Sequence, residues 1–108
     1  MRILVVGSGG SARIRSAILQ VLSNLLDYQM TLPDAVNAPR VHVQNGILQC
    51  EAGYNSAAVS QLAQLGYPIN RWDKRSMYFG GVHSAARTAD GQLVAAADNR
   101  RTGAVAIV

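Results

Sequence analysis

Ile3-Leu4-Val5-Val6-Gly7-Ser8-Gly9-Gly10-Ser11-Ala12-Arg13-Ile14 is the stretch on which the reading of the fold turns. An aliphatic run of four that stops at glycine reads as a buried strand entering a tight turn. Beyond the turn, Ile14, Ala17, Ile18, Val21, Leu22 and Leu25 recur at helical spacing. That pattern predicts an amphipathic helix from about Ser11 to Gln29, with Ser11 as its N-cap. Thr31 and Pro33 then mark a second helix start. It must be short, because Pro39 drives Ala38 out of the helical region.

Further along, Arg40-Val41-His42-Val43-Gln44 alternates, and Asn45-Gly46 leads into Ile47-Leu48-Gln49-Cys50-Glu51. Asn-Gly between alternating runs is a hairpin signal. Residues 56–65 read as a helix closed by Gly66. Strands are expected over roughly 68–72, 81–88, 92–97 and 103–107, with Asp90-Gly91 as a second hairpin turn. The whole is a mixed α/β (α+β) chain forming one domain over residues 1–108, with its antiparallel part towards the end.

Composition narrows the class. With 108 residues, 49% hydrophobic and 15% charged, the chain favours collapse over disorder. Its apolar runs are too short to span a bilayer, and the N-terminal run is too short for a signal-peptide core. Cys50 is the single cysteine, which excludes an internal disulfide and a cysteine zinc site. It reads as a small buried hydrophobe. The net charge of +4 is spread over Arg13, Arg15, Arg40, Arg71, Lys74, Arg75, Arg100 and Arg101 and makes no basic tract, so nucleic acid is not the expected partner. His42 reads as a hydrogen-bonded sheet histidine, since a catalytic or metal role needs partners and His83 is the only other histidine. Trp72 and Tyr78 with Lys74 and Arg75 read as a basic surface loop. No cofactor or metal is expected.

Gly7, Gly9 and Ala12 fit the dinucleotide fingerprint in its alanine form. That fold also needs a second parallel strand about 20 residues on, ending in an acid that binds the ribose. Here Asp27 and Asp34 sit at a helix end and inside a short helix, and the next strand starts near Arg40. The chemistry available at the turn is therefore simpler: backbone N–H groups at a helix start, open to an anion.

Gly7-Ser8-Gly9-Gly10-Ser11-Ala12-Arg13-Ile14, Ile18-Leu19-Gln20-Val21-Leu22, Ala38-Pro39-Arg40-Val41-His42, Glu51, the Leu65-Gly66 helix end and Ala97-Asp98-Asn99-Arg100-Arg101 followed by Gly103 together resemble the small subunit of the γ-glutamyltranspeptidases. These are N-terminal-nucleophile hydrolases. The resemblance implies a portion of an αββα sandwich, and a chain that begins just before the oxyanion strand of a longer small subunit. It implies acyl transfer in which an N-terminal threonine, its own α-amino group acting as base, attacks a γ-glutamyl amide. Water, an amino acid or a peptide then resolves the γ-glutamyl-enzyme.

In that family the glycine turn supplies N–H donors to the oxyanion. The turn here departs from the commoner Pro-Gly-Gly-Ser. Without a gap the donors are Gly10 and Ser11; with a one-residue shift they are Gly9 and Gly10. Arg40 and Arg100 match the arginines of the family's Ala-Pro-Arg and Asp-x-Arg segments, and read as partners of a structural ion pair with Asp98. The threonines Thr31, Thr88 and Thr102 do not occupy a nucleophile position. The partners implied are the large subunit and the N-terminal part of the small subunit, or else a second copy of the chain. Complete relatives are usually exported or face outside the cell, but the residues carry no address. Two other functions fit the same turn: a small anion- or nucleotide-binding module, and a self-associating remnant without catalysis.

Overall fold

Gly10, with φ of +121°, is where the first strand leaves its sheet. A computed structural model describes residues 3–108. Strand β1 (Ile3–Gly9) runs three residues past the aliphatic run that announces it. Its glycine end pairs antiparallel with β5 (Gly81–Arg87), Gly7 opposite His83 and Gly9 opposite Gly81. The turn therefore falls at residues 10–13, and helix α1 (Ile14–Leu26) starts later than expected. Ser11 is not its N-cap. Arg13 holds that position without a side-chain cap, and Ser11 instead offers its carbonyl to the Ile14 N–H at 3.2 Å. The helix also ends three residues early: Tyr28 and Met30 fold back onto Ser23 and Asn24, and Gln29 takes φ of +53°.

Helix α2 (Leu32–Asn37) has the expected ends. Thr31 Oγ1 accepts from the Asp34 N–H at 3.3 Å, and Ala38 is extended before Pro39. The hairpin of β2 (Val41–Gln44) and β3 (Ile47–Cys50) turns on Asn45 and Gly46, both at positive φ. That is the backbone of a two-residue primed turn, which matches strand twist. Helix α3 (Ser56–Gln64), capped by Asn55 Oδ1, carries the chain across to β4 (Ile69–Arg71). Strand β4 lies parallel to β3, because a strand reached through a helical crossover can return in the same direction. A single 3₁₀ turn (Met77–Phe79) precedes β5. Strand β6 (Leu93–Ala96) joins β5 antiparallel. The Asp90-Gly91 turn is a three-residue loop with Gly91 left-handed, closed by the Thr88 N–H on Gln92 O at 2.9 Å.

Residues 103–107 do not form the expected strand. Alternation supplies a face but not a ladder. The imidazole of His83 stands against Gly103, where a Cβ would lie 2.8 Å from its Cε1. A cavity bounded by Ala95, Ala96, Gly103 and Val105 separates the tail from β6.

Two three-stranded sheets result, ordered β1-β5-β6 and β2-β3-β4. Helices α1 and α2 cover one face of the first. Ala17, Val21 and Leu25 from α1 and Leu32, Ala35 and Val36 from α2 meet Val82, Ala86 and Ala96 there. The opposite face of that sheet is uncovered: Ile3, Val5 and Leu93 are 57%, 64% and 49% exposed. One helix layer on one sheet is half of the expected sandwich.

Gly80 locks this packing. It has φ of +92°, and a Cβ there would sit 2.9 Å from Ala17 Cβ and 3.0 Å from Ser8 Oγ. Gly66 has a similar φ of +97° but open space around it. Gly80→Ala is expected to destabilise by about 2–4 kcal/mol, backbone strain and overpacking together. Gly66→Ala carries the strain alone, about 1–2 kcal/mol. Urea titrations of the two variants check the ordering.

Candidate functional site: a glycine turn beside a buried charge network

Arg40, Glu51, Asp98 and Arg100 come from three separate stretches of chain and are all buried. Pro39 ends α2 and sends Arg40 inward at the start of β2. Glu51 follows the last residue of β3, and Asp98 and Arg100 lie in the turn after β6. Arg100 grips Glu51 with two parallel contacts, Nε to Oε2 at 2.8 Å and Nη2 to Oε1 at 2.6 Å. Its Nη1 reaches Asp98 Oδ1 at 3.1 Å, and Arg40 Nη2 reaches Asp98 Oδ2 at 2.8 Å. The fork of a guanidinium suits such paired contacts.

The carboxylates also receive main-chain donors. Val82 N–H and Arg100 N–H donate to Asp98, and Arg40 N–H and Ser76 N–H donate to Glu51. The guanidinium groups take main-chain carbonyls: Val36 O from both arginines, Ala38 O from Arg100 and Phe79 O from Arg40. Val36 O and Ala38 O lie at the end of α2, where helix carbonyls lose their intrahelical partners.

Burial opposes ionisation of Asp98, but the two N–H donors and both guanidinium groups outweigh it and hold the carboxyl below its ordinary value. Burial, followed by the neighbouring Arg100 charge, lowers Arg40 against the pull of Asp98 and Glu51. Burial also opposes the charge on Arg100, yet Glu51 and Asp98 overcome it and raise that group. The expected Asp98 pairing is present, and it extends to both arginines. Glu51 is the member that residue-level reading left without a role. Its signal was an acid directly after Cys50, the buried end of a strand, where an unpaired carboxylate is not tolerated.

Gly9, Gly10 and Ser11 lie exposed at the end of β1. Gly9 is the last residue of the β1–β5 ladder, whereas Gly10 and Ser11 lie beyond it. Among the described residues, the N–H groups of Gly10 and Ser11 meet no acceptor. Phe79 O, held by Arg40, and Val82 N, held by Asp98, bracket Gly80 and Gly81, and Gly81 is the partner of Gly9. The network therefore fixes the strand end against which the glycine turn is built.

Elsewhere the structure places the expected residues in structural roles. His42 Nδ1 is 2.7 Å from Ser16 Oγ, and burial, with Arg13 and Arg15 nearby, lowers its pKa. Cys50 is buried, and burial pushes its thiol up. Trp72 stacks on Tyr78 at 4.9 Å, and Tyr78 also lies beneath the Arg13 guanidinium. Those aromatics pack inward instead of forming a free loop surface. Among the described residues no group of three metal-ligating side chains comes together.

The mixed α/β arrangement of two small sheets and three helices is shared with solved γ-glutamyltranspeptidases, which are N-terminal-nucleophile hydrolases. The family model described as Gamma-glutamyltranspeptidase matches residues 2–108. The chain belongs to that family. It is 35% identical over 98 residues to the Acylase ACY 1 proenzyme of Pseudomonas sp. (strain SE83), covering 91% of this chain and 17% of the relative. It is 34% identical over 99 residues to the Glutathione hydrolase proenzyme of Escherichia coli (strain K12), covering 90% and 16%. The solved γ-glutamyltranspeptidase of Pseudomonas nitroreducens complexed with L-DON superposes with a TM-score of 0.83 at 28% identity, covering 97% of this chain and 55% of that one. The chain thus spans about a sixth of the length of those curated relatives.

Asp98 has a depressed folded pKa, so its contribution to stability is complete above the unfolded value of about 3.9 and is lost as pH falls through the lower folded value. Melting temperature is expected to drop as pH goes from 5 to 2. Asp98→Asn, which leaves Arg40 without its carboxylate partner and Arg100 with Glu51 alone, should cost about 3–5 kcal/mol at pH 7 and flatten that acid dependence. Thermal melts across this range for both proteins check it.

Proposed function

We propose that this chain is the C-terminal portion of a γ-glutamyltransferase or glutathione hydrolase small subunit, and that it supplies the oxyanion donors of an acyl-transfer site. The observation that carries the reading is the pair of exposed N–H groups at Gly10 and Ser11, left without acceptors in a chain that matches the family over residues 2–108. Gly9 belongs to the ladder, which favours Gly10 and Ser11 over Gly9 and Gly10 as the donor pair.

In this reading the nucleophile is a threonine hydroxyl outside residues 1–108. Thr31 caps α2, Thr88 closes the β5–β6 hairpin, and Thr102 follows the charge network. The hydroxyl oxygen attacks the amide carbon while the threonine's α-amino group takes the proton. The carbonyl oxygen gains negative charge and accepts from the two N–H groups. Collapse expels the amine with that proton and leaves an acyl ester, which water or an amine then resolves. Donors fixed before the reaction stabilise this charge without reorganisation. Arg40, Asp98 and Arg100 act as support, holding Gly81 and hence the base of the turn. The relative named as an acylase supports amide acyl transfer as the shared chemistry, with the γ-glutamyl group as its form here.

The remainder of the enzyme covers the open face bearing Ile3, Val5 and Leu93. At about 25 cal/mol per Å², a few hundred Å² of covered apolar surface stabilises the assembly by several kcal/mol. Without it, residues 1–108 are expected to self-associate, since the sheet edges and that face are open to a second copy. Sedimentation at micromolar concentration checks this, and a clean single-chain species would count against it.

Residues 1–108 alone are expected not to release chromophore from a γ-glutamyl anilide. In the complete enzyme, Gly10→Val is expected to lower turnover about 10²-fold or more, because the valine side chain strains a residue at φ +121° and moves the donors. Unchanged turnover would remove the oxyanion assignment.

A further inference from the structure

Arg100 and Arg101 are adjacent and point to different places. Arg100 is buried in the charge network, whereas Arg101 lies along the glycine turn. Its backbone is held by the Arg101 N–H on Asp98 O at 3.3 Å. Its stem crosses Gly81 so closely that a Cβ there would overlap Arg101 Cδ and lie 2.8 Å from Cγ and Nε. Its guanidinium then covers the turn. A Cβ at Gly9 would be 3.6 Å from Cζ and Nη1, and one at Gly10 would be 3.8 Å from Nη2. Three glycines from two strands and a turn make a trough for one arginine.

The polar contacts of Arg101 do not account for this position. Nε is buried without a hydrogen-bond partner, and Nη2 reaches Met77 O only at 3.5 Å. A buried polar atom without a partner calls for an explanation. The side chain is held by its backbone anchor and by the shape of the trough, and it leaves a permanent positive charge against Gly9 and Gly10, at the turn whose Gly10 and Ser11 N–H groups meet no acceptor among the described residues.

We propose that Arg101 is the positioning residue of the glycine turn: it clamps Gly9 and Gly10 against Gly81 and sets a fixed charge next to the Gly10 and Ser11 donors. As a functional statement this rests on the acyl-transfer reading. The charge network holds Asp98, Asp98 holds the Arg101 backbone, and Arg101 holds the turn. Gly81 is small for the same reason, since any side chain would lift the arginine away.

The test has two arms. In the complete enzyme, selectively labelled backbone amide resonances of Gly10 and Ser11 report the turn whatever reaction it serves. Arg101→Met keeps most of the stem and removes the fork and the charge. It should move both resonances, and Gly81→Ala should move them in the same direction. Arg101→Lys should leave them near the wild-type positions. In the complete enzyme, Arg101→Met should lower kcat about tenfold or more with KM changed less than about twofold, and Arg101→Lys should recover most of the loss. Gly81→Ala should cost a similar factor, with little further loss in the Arg101→Met background, because both remove one interaction. A change confined to stability would shift melting temperature without this split between kcat and KM. Unmoved amides in Arg101→Met, a lysine variant no better than the methionine one, or independent effects of the two sites would overturn the proposal. A wild-type enzyme without acyl-transfer turnover would defeat the functional reading alone, and the amide arm would still decide whether Arg101 sets the turn.

Discussion

Arg100 binds both buried carboxylates of the chain, Glu51 through a paired contact and Asp98 through Nη1, and also two carbonyls at the end of α2. Arg40 meets the other oxygen of Asp98 and donates to Val36 O and Phe79 O. Every element that meets these four side chains is pinned: the end of α2, the start of β2, the end of β3, the 3₁₀ turn and the start of β5. Taking four charges out of water is costly, and the return is adequate only with close geometry and further hydrogen bonds. That condition selects one arrangement of the two sheets over near alternatives that would leave a charge unpaired. Removing one partner of such a network leaves a buried charge uncompensated, which disfavours those alternatives.

The apolar core is modest by comparison. It is one helix layer on one face of the β1-β5-β6 sheet, built largely from alanine and valine. Small residues bring α1 and α2 close to the sheet, and Gly80 permits the close approach at Ala17 and Ser8. This core does not reach the β2-β3-β4 sheet. The two sheets are tied by Arg40, Glu51 and Arg100, together with Trp72, Tyr78 and Phe79, whose rings lie about 5 Å from one another. The uncovered side of the first sheet follows from the same economy: the residues present supply one layer of cover, and the other face carries Ile3, Val5 and Leu93 outward.

The glycine turn draws its geometry from both sides. On the β5 side the network fixes Gly80 and Gly81. On the β1 side Gly9 completes the ladder and Gly10 leaves it at a φ that suits glycine. Arg101 lies in the trough between them. Free N–H groups at a strand-to-helix junction are common. Here they lie next to a cation and on a strand end braced by buried charges, which gives the donors a fixed direction in a preorganised site.

Local features of the sequence were sufficient wherever one residue or dipeptide decides the backbone. Asn45-Gly46 set the primed turn, Thr31 capped α2, Pro39 ended it and Gly66 closed α3, because each admits a positive φ, restricts the backbone or satisfies a donor within a few residues. The segment order Gly-Ser-Gly-Gly, Ala-Pro-Arg and Asp-x-Arg pointed to the family for the same chain. Tertiary structure decided the rest. Gly7 and Gly9 read as turn residues, yet they extend β1 because Gly81 and His83 lie opposite. Residues 103–107 alternate as a strand should, but His83 stands against Gly103 and no ladder forms. Arg101 carried no local signal for its role, and the place of Glu51 after a strand did not name its partners. Glu51 depends on arginines 11 residues before it and 49 after it, Arg101 on glycines from two distant strands. Side-chain partners of that kind are set by packing across the chain, which local patterns do not encode.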